Sequence, residues 1–169
     1  MKEVSIQKLK DFSLFRGLSE YELALISEIV SHGEKEAGEI IINENAPGDE
    51  LYLLEEGVVD VLKTLTVVTS RNEFGTKERS FIRLTGENHC FFGEMVLFGA
   101  KERSATVKAV TKCGLSVIKD SDFLALCGKE PRIGYVVLTN IAIILSDYLR
   151  KANDDIIKLT TALSLALSG

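Results

Sequence analysis

The spacing of apolar residues changes twice along the chain, and each change marks a different kind of element. Through the first thirty residues the spacing is helical. Leu23, Ile26 and Val30 recur on one face, with Leu25 and Ile29 beside them. Ser19 followed by Glu22 predicts a capping box that opens this helix. His32-Gly33 reads as a glycine C-cap that closes it. From Gly38 onward the apolar runs are short and broken by turn residues. Strands are predicted at Ile40–Ile42, Leu51–Leu54, Val58–Leu62, Leu65–Thr69, Phe81–Leu84, Ala105–Val110 and Leu115–Ile118, with a polar loop over Ser70–Ser80. Pro47-Gly48 fits the two central positions of a type II turn, and Glu56-Gly57 predicts another turn. Many short strands separated by turn signals predict a β-sandwich or a barrel-like roll.

After Ser121 the period returns to 3.6. Asp122–Gly128 predicts a short helix, and Pro131 fits the first turn of a long one, where its missing N–H costs nothing. Neither Pro nor Gly interrupts the chain between Tyr135 and Ser168. Ile141, Leu145, Tyr148, Ala152, Ile156, Leu159 and Leu163 form a stripe of near coiled-coil spacing on that helix. Its distal half carries too much apolar surface to stay in water, so a self-associating helix is expected. The order of elements is that of one α+β unit. Residues 1–130 are expected to hold the N-terminal helices and the roll, and 131–169 the long dimerisation or lid helix.

Composition narrows the function. The 169 residues are 46% hydrophobic and 27% charged, which suits a globular chain with a real core. With Lys plus Arg at 20 and Asp plus Glu at 25, the net charge is −5. An acidic chain is a poor partner for phosphate backbones, so no nucleic-acid binding is expected of it. The most apolar region, Ile133–Leu145, is short for a bilayer, and no signal peptide is visible, so neither a membrane span nor secretion is expected. Cys90, Cys113 and Cys127 are an odd, scattered set that suits buried, reduced thiols in a cytoplasmic protein.

One segment carries chemistry: Phe91-Phe92-Gly93-Glu94-Met95-Val96-Leu97-Phe98-Gly99-Ala100-Lys101-Glu102-Arg103-Ser104-Ala105-Thr106-Val107. Gly93 opens a short apolar helix and Gly99 ends it. So short a helix leaves most of its N–H groups unpaired and facing an anion. Arg103, at the start of the next strand, offers a planar fork that matches a phosphate and keeps its charge. Glu94 would repel a phosphate unless it accepts from a hydroxyl of the same ligand. A sugar phosphate satisfies all three.

This segment closely resembles the phosphate-binding cassette of the cyclic nucleotide-binding domain family, which includes catabolite-activator-type regulators and regulatory subunits of cyclic-AMP-dependent kinase. Ala37-Gly38-Glu39-Ile40-Ile41, the run from Pro47 to Val61, and Phe12–Ser19 look like the family's early strands and N-terminal helices. The resemblance covers about Phe12 to Asp155. It implies a jelly-roll-like β-roll with N-terminal helices and a long C-terminal helix. It also implies cyclic AMP or cyclic GMP as ligand, held by Gly93, Glu94, Met95, Arg103, Ser104 and Ala105. Asn45 stands where the family often has Gly, and Asn tolerates the same left-handed backbone. Tyr148 falls where the family's long helix meets the base; it is a candidate lid, with ordinary packing as the alternative. Ser104, rather than the Thr associated with cyclic GMP, favours cyclic AMP. Strict strand alternation would turn Ser104 away from Arg103, so it reaches the ligand only if the chain bends there. The expected function is a sensor or regulatory module that repositions its long helix, acting as a homodimer and on a regulated protein partner.

Three other readings compete. An oxygenase barrel needs two or three His with a carboxylate. His32 and His89 stand far apart with no His-x-His pair, so neither a metal nor an enzyme is expected. A transcription factor of this type needs a helix-turn-helix after the long helix, and none follows; the chain would then be the truncated sensor of such a regulator. The third is a dimeric interaction module that has lost its nucleotide.

Overall fold

The computed structural model describes residues 6–68 and 74–167, with side chains described outside 65–81. Helix α1 (Ile6–Asp11) and a 3-10 turn (Ser13–Phe15) lead into α2 (Glu20–Ile29). The capping box is present. Ser19 Oγ accepts from the Glu22 N–H, and Glu22 Oε2 accepts from the Ser19 N–H at 2.8 Å. Glu22 also takes the guanidinium of Arg132, which holds its carboxyl at a pKa of about 2.

Eight strands follow: β1 (Val30–Lys35), β2 (Ile40–Ile42), β3 (Glu50–Glu56), β4 (Val58–Val68), β5 (Phe74–Thr85), β6 (Phe91–Phe92), β7 (Thr106–Ala109) and β8 (Cys113–Lys119). They form two antiparallel sheets, β1-β8-β3-β6 and β2-β7-β4-β5. Alternation along β3 sends Leu51 and Leu53 to a core shared with the helices, and Leu54 to a second core inside the roll. The first sheet is therefore covered on both faces.

Four local expectations are corrected. His32-Gly33 does not cap a helix. Val30 is already extended (φ −87°, ψ 132°), and Val30–Lys35 pairs residue for residue with Cys113–Ile118. Strand pairing thus outweighs the freedom of Gly33, which has no positive φ. The predicted strands at 58–62 and 65–69 are one strand, β4, as far as Val68. The predicted loop is strand from Phe74 onward, pairing from Val68↔Phe74 to Val58↔Thr85 with a register shift between Val61 and Leu62. A hairpin ladder is held by backbone hydrogen bonds, which polar side chains do not announce. Thr69, residues 70–73 of that loop and residues 1–5 lie outside the described residues. Gly48 lacks the positive φ of a type II turn. The left-handed residue is Asn45 (φ 63°), inside a turn closed by the Ala46 N–H on Asn43 O at 3.2 Å.

Helix α3 (Asp120–Lys129) precedes α4 (Pro131–Leu167), whose 37 residues run about 55 Å at 1.5 Å each. The start of α4 is built into the domain. Ile133, Gly134, Val137 and Ile141 are buried, and Asn140 Nδ2 donates to Leu14 O and Arg16 O. Beyond Ile141 almost every residue is exposed, the stripe residues Ile156, Leu159 and Leu163 included. By length and composition alone α4 is long and apolar enough to cross a membrane, while its first turns are buried against the domain. The three thiols are free; Cys113 is buried, whereas Cys90 and Cys127 are only half-buried.

Candidate functional site

The site grows from two left-handed glycines. Gly93 (φ 80°) opens a 3-10 turn over Glu94–Phe98, and Gly99 (φ 82°) closes it. A side chain at either position would be strained. The chain then passes Glu102, bridged to Pro47, and reaches Arg103. Arg103 does not begin a strand; β7 starts at Thr106 and residues 104–105 form a bend. The Asn45 turn grips the Arg103 backbone from both sides: the Asn45 N–H donates to Arg103 O at 2.9 Å, and the Arg103 N–H donates to Ala46 O at 3.0 Å. Lys63 Nζ, paired with Glu44, donates to Ser104 O at 2.7 Å and steadies the bend. Because the chain bends, Arg103 and Ser104 face the same space, which regular strand alternation would have prevented.

That space is a cavity of about 160 Å³. Gly93, Glu94, Met95, Arg103, Ser104, Ala105 and Tyr148 all line it. The apolar wall opposite, from Val61, Ile82, Leu84 and Phe91, was not singled out in the sequence. Alternating apolar residues on β4 and β5 signal a core face equally well, so sequence alone could not tell wall from core.

Arg103 is only 7% exposed. Its Nη1 donates to Glu50 O at 2.8 Å and to Gly93 O at 3.4 Å, and its guanidinium lies 5.9 Å from the centre of the Tyr52 ring. Tyr52 is fixed in turn by stacking on Phe92 and by its hydroxyl, which donates to Glu50. Among the described residues no carboxylate forms an ion pair with Arg103, and nothing accepts from its Nε or Nη2. Pairing of Arg103 with Glu94 is therefore not what the fold contains. Glu50 contributes its main-chain oxygen.

Burial pushes the Glu94 carboxyl up from its ordinary range, while its own N–H and the charge of Arg103 draw it partly back. Tyr148 projects from α4 to the cavity rim, with 57% of its surface still exposed. Burial, then Cys90 and Glu94 nearby, raise its phenol. The arrangement presents a buried cation, an acceptor, an apolar wall and an aromatic ring on a helix. Among the described residues no histidine or cysteine lines it.

The family model described as "Cyclic nucleotide-binding domain" matches residues 34–130. The cAMP-dependent protein kinase regulatory subunit of Eremothecium gossypii is 31% identical over 120 residues, which are 71% of this chain and 23% of that protein. The catabolite activator protein of Thermus thermophilus superposes with a TM-score of 0.70 at 30% identity, covering 88% of this chain and 63% of the other. A cyclic nucleotide-binding domain from Methylobacillus flagellatus shares the fold with a TM-score of 0.73 at 21% identity, covering 90% and 80%. The chain spans about a quarter of the length of the first curated relatives it matches.

Proposed function

This chain belongs to the cyclic nucleotide-binding domain family, and from that premise we propose that it is a sensor module for cyclic AMP, preferred over cyclic GMP, that signals through the pose of α4. The observation that carries this reading is Arg103. A guanidinium this buried, with no carboxylate partner among the described residues, is matched by an anion. Arg103 takes the cyclic phosphate together with backbone N–H groups around Gly93 and Met95. Glu94 accepts the ribose 2′-hydroxyl, and Ser104 and Ala105 close over the phosphate side. The base lies against the apolar wall under Tyr148, which joins the ligand to α4. Ligand shifts the helix only by as much as it binds one pose better than the other. The exposed distal stripe of α4 supports pairing with a second copy into a two-fold homodimer.

That stripe also fits a second reading, a dimeric interaction module of the same fold that no longer binds nucleotide. A third, the sensor part of a larger transcription regulator, fits the 63% coverage of the catabolite activator.

Glu94 separates the first reading from the second. Cyclic AMP should bind the wild type at least fivefold more tightly than its 2′-deoxy analogue, and Glu94→Ala should bind both alike. Sign follows from the raised pKa. The folded chain holds the Glu94 proton more tightly than the unfolded chain, so ionisation costs stability as pH rises through that pKa. The ribose preference needs the ionised form, so it should fade as pH falls through the same range. Competition titrations at neutral and acidic pH read the ribose preference, and melting curves over the same range read the stability. A wild type that treats the two ligands equally at neutral pH would remove Glu94 from the site.

A further inference from the structure

The seat of Arg103 is shaped by a residue that touches no ligand in the reading above. Gly48 has an ordinary backbone conformation, with no positive φ, so its own geometry does not call for glycine. What calls for glycine is Arg103. A Cβ on Gly48 would lie 2.1 Å from Arg103 Nε, 2.5 Å from Nη2 and 2.6 Å from Cζ. Contacts this short do not occur between real atoms. The two nitrogens are nearer than the carbon between them, so the Cβ would stand in front of the Nε–Nη2 edge, not over the flat face. That edge is the half of the fork from which nothing among the described residues accepts. The other half, Nη1, is tied to Glu50 O and Gly93 O. Tyr52 lies near the guanidinium as well. The side chain therefore has little freedom to step aside without losing its carbonyl anchors.

We infer that Gly48 is a positioning residue for Arg103. Its missing Cβ leaves room for the guanidinium to hold both carbonyls. This rests on Arg103 being the phosphate ligand. A methyl group at position 48 collides with the end of a long side chain, not with backbone, so the fold survives and the arginine is displaced.

The test is a double-mutant cycle of wild type, Gly48→Ala, Arg103→Ala and Gly48→Ala/Arg103→Ala, read by calorimetric titration with cyclic AMP and by thermal melting. Gly48→Ala is expected to weaken cyclic AMP at least fivefold. The double variant should bind no more weakly than Arg103→Ala alone, because no guanidinium remains to collide. Melting should show the same pattern: Gly48→Ala lowers the melting temperature in the wild-type background and leaves it unchanged in the Arg103→Ala background. Gly48→Ala binding as tightly as wild type, or losses that simply add in either measurement, would overturn the inference. If Arg103→Ala itself binds like wild type, the reading of Arg103 as phosphate ligand fails, while the melting arm still decides whether Gly48 makes room for the guanidinium.

Discussion

Replacing Arg103 with alanine lowers the affinity for a cyclic nucleotide at least tenfold. A hydrogen bond to a charged partner contributes about 1.5–3 kcal/mol, and 1.4 kcal/mol is a factor of ten. Arg103 supplies the buried positive charge beside the cavity, and that charge is lost with the side chain. The change also strips the donor from Glu50 O and Gly93 O. Leaving buried acceptors unpaired costs about 1–3 kcal/mol of folding stability, so the melting temperature falls as well. Lysine at this position does not rescue binding. An ammonium is a point charge that cannot hold the carbonyls and present a flat fork together. Titration of both variants, with melting curves as control, reads the result. Equal affinity in wild type and a folded Arg103→Ala protein would end the assignment.

Removing the chain after Arg150 converts a dimer into a monomer and leaves the nucleotide site in place. Ile156, Leu159 and Leu163 are each at least 60% exposed. Burial of one such side chain contributes about 1.5–3 kcal/mol, so a pair of facing helices gains from several of them. Among the described residues, none from 151 onward lines the cavity, whereas Tyr148 remains. Light scattering of the full chain should give twice 18.6 kDa, and of the shortened chain the mass of one copy. A full chain that is monomeric at tens of micromolar would refute the dimer and leave the distal helix for another protein.

Where one physical rule acted alone, the sequence was enough. The Ser19–Glu22 box, the isoleucine strand at 40–42 and the helix from Pro131 were all legible, because capping, β-branched runs and Pro placement are local effects. The glycines that bracket the 3-10 turn were legible for the same reason. Expectations missed where tertiary pairing decided. Gly33 looked like a cap and became strand, because β8 offered it a ladder. The polar stretch after Phe74 looked like a loop and became half of a hairpin. Within the site, the residues singled out from the sequence line one cavity, while those acting through backbone or absence were not singled out. Glu50 contributes a carbonyl oxygen and Gly48 a missing atom, and neither is visible in a residue type. The bend at Ser104 likewise comes from the Asn45 turn and Lys63, distant in sequence.

The central claim, that this roll is a working nucleotide sensor, is tested most directly by calorimetric titration of the purified wild-type chain with cyclic AMP and with cyclic GMP. Nucleotide carried through purification is first removed and checked by absorbance near 260 nm, where a chain without Trp contributes little. The account predicts saturable binding of cyclic AMP at one site per chain, tighter than that of cyclic GMP. No heat and no saturation with either nucleotide, from a folded protein stripped of ligand, would contradict it.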